Sequence, residues 1–172
     1  MNVTRRDWVS TCLAVAAWPD VLSAAPRLET LDSGEAAEIE AIAAQIIPST
    51  GGPGAREAGV IYFIDRALST FAADDREAYR TGMAEIQRRR KELFPGSISI
   101  TALNNEQQIS LIRAIEKSDF FELLRLHTVL GFLASPSYGG NRGKVGWKQI
   151  GFEDHMTYQH PFGYYDAPGN AK

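Results

Sequence analysis

From residue 33 onward, apolar residues return at intervals of three and four, the period of a helix with one buried face. Ser33 stands as the N-cap of the first such segment, with Glu35 and Glu38 in its opening turns, where the positive end of the helix favours acids. Ile39, Ile42, Ala43, Ile46 and Ile47 share one face, and Pro48 stops the run. After a Ser-Thr-Gly-Gly-Pro-Gly loop, a second helix is expected over 56–71, with Val60, Phe63, Ile64, Ala67, Leu68 and Phe71 inward. Asp74 and Asp75 open a third, reaching Leu93 with sparse apolar marks at Tyr79, Met83, Ile86 and Leu93. Its Arg88-Arg89-Arg90-Lys91 run reads as a solvated last turn, where cations suit the dipole. Pro95-Gly96 breaks the chain, and Ser97–Ile100 alternates over too short a stretch for a sheet. A fourth helix over 104–117 turns Ile109, Ile112 and Ile115 inward. Ser118 caps a fifth, 119–133, whose Phe120, Leu123, Leu124, His127, Leu130 and Phe132 cover much of its circumference and place it centrally. The class is all-α, a bundle of about five helices.

Beyond Leu133 the helical period vanishes, and 134–172 reads as a long irregular arm, far exceeding an ordinary loop. Five glycines (139, 140, 143, 146 and 151) fall within fourteen residues, threaded with Tyr138, Asn141, Arg142, Lys144 and Trp147. The arm also carries Phe152, Tyr158, Phe162, Tyr164 and Tyr165, an aromatic content that suits an interface better than a solvated tail. A partner-binding arm and an arm that caps its own core both fit, and the two are compatible.

Composition adds a compartment. Thr4-Arg5-Arg6-Asp7-Trp8-Val9, followed by an uncharged run to Trp18, reads as a twin-arginine export signal over 1–24, with Trp8 where Phe is usual. That run is too short to span a bilayer. Residues 1–24 carry two charges of each sign, so the remainder keeps the whole chain's net −3. A mildly acidic chain with no basic stripe gives no reason to expect nucleic acid. The single Cys12 lies in the leader, without the small residues a lipoprotein cysteine needs before it, so the rest of the chain holds together by packing alone.

Candidate chemistry is thin. The Gly51–Gly54 loop lacks the strand, spacing and Gly-Lys-Ser/Thr of a phosphate cradle, and reads as a sharp corner fixed by Arg56 and Glu57. His127 sits on an apolar helix face as a hydrogen-bonded core residue, while His155 and His160, five apart, lack the spacing of a helical zinc pair. No Gly-x-Ser-x-Gly elbow, Cys-x-x-Cys-His or Rossmann fingerprint occurs, which leaves no standard place for a nucleophile, covalent haem, flavin or nicotinamide.

Two stretches carry a resemblance. HTVLGF…SPSYGGN…GW…IG, from His127 to Gly151, resembles the closing signature of the gluconate 2-dehydrogenase subunit 3 (small, gamma) family. IIPSTGGPGAREAGVIYFID, Ile46 to Asp65, is similar to that family's other motif, and together they span about residues 30–152. The periodicity sets the helical bundle over 30–133, and the resemblance implies a non-catalytic subunit of a periplasmic dehydrogenase complex. It also implies a large FAD-dependent subunit that oxidises a sugar, sugar acid or alcohol, and a multihaem cytochrome c subunit. FAD and haem c would then reside in those partners, none in this chain, and any membrane association would run through them. Export of the folded large subunit on the Arg5-Arg6 leader is part of that expectation. Tyr138, Gly139, Gly140, Asn141, Arg142 and Trp147 are the expected partner contacts. Pro53, Gly54, Arg56, Glu57 and His127 are expected as structural support, His127 holding the glycine loop through a backbone carbonyl. The alternatives are a free-standing metal-dependent hydrolase using the three histidines, or a module whose aromatic arm closes over a sugar.

Overall fold

A computed structural model describes residues 27–155 and Thr157; the expected leader with Arg5, Arg6 and Cys12, and His160 in the arm, lie outside them. The described residues form six helices and no strand: α1 (Ser33–Ile46), α2 (Val60–Ser69), α3 (Arg76–Leu93), α4 (Asn105–Ile115), α5 (Asp119–Leu133) and α6 (Val145–Gln149). The all-α expectation holds, with α6 added where irregular chain was expected. None of these helices is long and apolar enough to cross a membrane.

Local chemistry moves several boundaries. Asp32, not Ser33, caps α1: its carboxylate accepts from the Gly34 and Glu35 amides at 2.7 and 2.8 Å, and Glu35 reaches back to the Asp32 amide. Glu three positions after Asp32 makes a reciprocal box that Ser33 could not match. α2 begins at Val60 rather than Arg56, because Gly59 adopts a left-handed φ of +65° and separates the turns before it from the helix. Phe71 then falls beyond the end of α2 and is 63% exposed instead of inward. On α4 the buried pair is Leu111 and Ile115, whereas Ile109 faces outward. The inward face is fixed by Gln108, whose side-chain amide donates to the Ile100 and Leu103 carbonyls.

The basic run of α3 divides. Arg88 and Arg89 pair with Glu85 and Glu92 on the same helix. Arg90, only 3% exposed, donates instead to the Ser97 carbonyl and hydroxyl and to Gln87, folding the chain after Phe94 back on the helix. Leu93 is left outside.

α5 packs most extensively on α2 and also touches α1, α3 and α6, so it lies centrally as its girdle of apolar residues predicts. Leu124 and Phe132 point inward, but Leu130 lies on the open edge with Leu126. α2 carries one charged residue to the inside. Asp65, 2% exposed, accepts the Glu29, Thr30 and Leu31 amides at 2.6, 2.9 and 2.8 Å, clasping the segment ahead of α1 to the core. Asp65→Ala strands three donors, and is expected to lower unfolding free energy by about 3 kcal/mol, read by urea titration.

Candidate functional site

Like any helix, α5 ends with carbonyls that its own amides cannot reach. The glycine-rich chain after it supplies the donors. A 3-10 turn, Pro136–Tyr138, leads to Gly139, whose φ of +104° reverses the chain. The Asn141 amide then donates to the Gly131 carbonyl, its side-chain amide to the Ala134 carbonyl, and the Trp147 indole to the Leu133 carbonyl, at 2.9, 2.9 and 2.6 Å. The Asn141 side-chain oxygen accepts the Gly146 amide at 2.9 Å, which ties the first turn of α6 into the same knot. Asn141 is wholly buried in a left-handed conformation, φ +45°, that Asn tolerates better than most residues. Close approach does the rest. A methyl at Gly140 would lie 2.1 Å from the Gly131 carbonyl oxygen, and one at Gly146 2.0 Å from that of Phe132.

The two sequence motifs meet at this loop. The Arg142 amide donates to the Ala58 carbonyl at 3.0 Å, and the guanidinium carbon sits 3.8 Å from the centre of the Tyr62 ring. Gly59 leaves room for the Arg142 side chain, whose Cδ would stand 2.6 Å from a methyl there. The first motif is braced from behind. Glu57 accepts from the Ser49 hydroxyl and the Gly54 amide, both at 2.7 Å, and Arg56 pairs with Glu40 of α1 at 2.8 Å. Those hydrogen bonds, the Ser49 hydroxyl first, hold the Glu57 carboxyl below the usual carboxylate range. Gly54 lies against the end of α1, where a methyl would come within 2.5 Å of the Ile47 carbonyl oxygen. Pro53, Gly51 and Gly52 border a shallow cleft with Val145, Lys148 and Gln149 of the other motif.

The expected contact residues therefore separate. Tyr138 is 52% exposed, Gly139, Arg142 and Trp147 are half-buried, and Gly140 and Asn141 are inside. Asn141 cannot offer its side chain to a partner, because its amide is consumed by the loop. Phe71 and Ile150, 63% and 62% exposed, were not among the expected contacts. Phe71 meets Tyr138 edge-on, ring centres 6.4 Å apart, and the Arg66 guanidinium steadies that turn by donating to the Ser137 carbonyl. The Ser69-Thr70 pair at the end of α2 was the available signal that Phe71 leaves the helical face. Phe152 packs edge-on against Trp147, and Lys144 bonds Asp154.

His127 does not touch the loop. It is buried in α5, its Nδ1 2.9 Å from the Tyr79 hydroxyl and its Nε2 3.6 Å from Asp75, so it joins α5 to the start of α3. Asn141 and Trp147 take the role expected of it because they lie beyond the helix end, where the orphan carbonyls are. Burial lowers the His127 pKa, with Asp75 opposing, and burial raises that of Tyr79. The lowered pKa favours the neutral imidazole, whose Nδ1 shares one hydrogen bond with the Tyr79 hydroxyl. His155 bonds Glu153 at 2.7 Å. Among the described residues no cluster of three or more His, Cys, Asp or Glu could hold a metal ion.

The family model described as Gluconate 2-dehydrogenase subunit 3 matches residues 33–154, from the start of α1 to the Asp154 that anchors Lys144. Among curated proteins and solved structures, none matches the chain.

Gly140→Ala is expected to cost at least about 2 kcal/mol, because the loop backbone must lift off α5; urea unfolding measures it. His127 gives a pH dependence of definite sign. Its folded pKa lies below the unfolded 6.5, so the unfolded chain binds the proton first and stability falls as pH drops through that value. Between pH of about 7.5 and 5.5, melting temperature should fall more steeply for the native protein than for His127→Gln.

Proposed function

Since the chain belongs to the gluconate 2-dehydrogenase subunit 3 family, the small subunits of dehydrogenase complexes, we propose that it is a non-catalytic accessory subunit that grips its large partner through the glycine loop. That partner is a FAD-dependent dehydrogenase acting on a sugar, sugar acid or alcohol, with a multihaem cytochrome c subunit receiving the electrons. FAD and haem c reside in the partners, and no nucleic acid is involved. The complex is periplasmic and meets the membrane only through those subunits. The Arg5-Arg6 leader exports the assembled, folded pair, and this chain assists folding or flavin loading before export.

One observation carries this reading. The two motifs spend Asn141, Arg142, Glu57 and their close-packed glycines on each other and on the end of α5, while Tyr138 and Ile150, with Phe71 and Phe152 just beyond the motifs, stay exposed. Exposed aromatics on a rigid support are the anchors that protein interfaces favour. His127 is engaged by Tyr79 and Asp75 within the bundle, which suits a structural histidine rather than a catalytic one.

Co-expression with the large subunit tests both halves. Phe71→Asp with Tyr138→Asp should weaken copurification at least tenfold without unfolding the chain, and removal of residues 1–24 should leave the large subunit in the cytoplasm. Undiminished binding refutes the grip, and normal arrival in the periplasm refutes the escort.

A further inference from the structure

A helix with one side in the core should be polar on the other. α5 obeys this only at its start. Its inward residues face α1, α2 and α3, and in the first two outward turns Asp119 is exposed and Glu122 pairs with Arg125 at 2.6 Å. The last two turns differ. Leu126, Val129, Leu130 and Leu133, three and four apart, form one outward stripe with no polar side chain in it. Among the described residues this stripe stays open, Leu126 at 51% and Leu130 at 42% exposure. It ends where the chain after α6 arrives. The Trp147 indole donates to the Leu133 carbonyl, Phe152 stands edge-on to Trp147 with ring centres 5.1 Å apart, and Lys144 holds Asp154 at 2.6 Å.

Beyond that anchor the sequence continues to Lys172, outside the described residues apart from Thr157. Its first part, 156–165, contains no Asp, Glu, Lys or Arg and carries Met156, Tyr158, Phe162, Tyr164 and Tyr165. Such a segment can reach about 33 Å, whereas the stripe from Leu126 to Leu133 is about 10 Å long. We propose that segment 156–165 docks on this stripe and closes the outward side of α5 with its aromatic side chains. Position and chemistry both select this occupant. The segment leaves from the end of the stripe, fastened there through Trp147 and Lys144, and a short tether gives it an effective concentration on the order of millimolar, against which any free partner must compete. Its uncharged, aromatic composition matches the leucines, while the charged turns of α5 lie farther from the anchor. Docking of this kind concerns the isolated chain, and stands or falls apart from the grip on the large subunit.

Photocrosslinking tests the placement directly. The full-length chain carrying Leu130→p-benzoylphenylalanine, irradiated alone, should capture a peptide from 156–165 of the same molecule, identified by mass spectrometry of the monomer. Capture of residues 1–24, capture only between two chains, or no capture overturns the proposal. Melting temperature gives a second measurement on full-length variants. Leu126→Gln with Leu130→Gln keeps helix propensity and is harmless on an uncovered surface, but should lower melting temperature by roughly 4 °C if the stripe is covered. Tyr158→Ser, Phe162→Ser, Tyr164→Ser and Tyr165→Ser together should lower it similarly, and the two sets combined should lower it no further than either alone. Additive losses, or no loss in either set, refute the docking. A native melting temperature that rises with protein concentration assigns the stripe to a second copy, and unchanged melting with weakened capture of the large subunit assigns it to that subunit; either result makes the proposal wrong.

Discussion

The unpaired carbonyls at the end of α5 set the terms for the rest of this molecule. A helix that finishes inside a protein must have its last acceptors met, and none of its own residues can do so. This chain meets them with a backbone amide, a carboxamide and an indole drawn from the following residues, all within sixteen positions of Gly131. Everything distinctive in the loop follows. Glycines appear where the returning backbone must lie on the helix, Asn occupies the left-handed position where a side chain must cap and be buried at once, and α6 starts where the Asn141 oxygen receives an amide.

That constraint explains which parts of the fold were legible beforehand. The first five helices, their order and most of their buried faces follow from apolar spacing alone, because burial against a neighbour requires it. Details decided by polar groups do not. Asp32 wins the cap from Ser33 through Glu35, Gln108 selects the face of α4, and Arg90 turns inward to serve the Ser97 turn although it lies in a run of surface cations. Each outcome depends on a partner in space, which composition and period do not contain. The glycine loop was recognisable as a shaped surface, yet its internal division was hidden. Whether Asn141 or Tyr138 faces outward depends on α5, since both belong to the same polar and aromatic string.

Motifs with about sixty residues between them come together because α2 and α5 pack most extensively, the first motif running into α2 and the second starting in α5. The Arg142–Tyr62 stack and the Arg142 amide on Ala58 join the two at their nearest point. A family signature spread over two segments is thus a single structural unit. Its inward half maintains shape, and at its rim Tyr138 stays exposed against Phe71, just beyond the first segment.

The clasp at Asp65 has a mechanical meaning. Traction applied to the chain ahead of Glu29 is delivered to a carboxylate in the middle of α2, and from there to the face shared with α5. Load enters at a buried helix and bypasses the first turn of α1, where peeling would otherwise begin. A domain towed by its N-terminal end would resist being unravelled from that end.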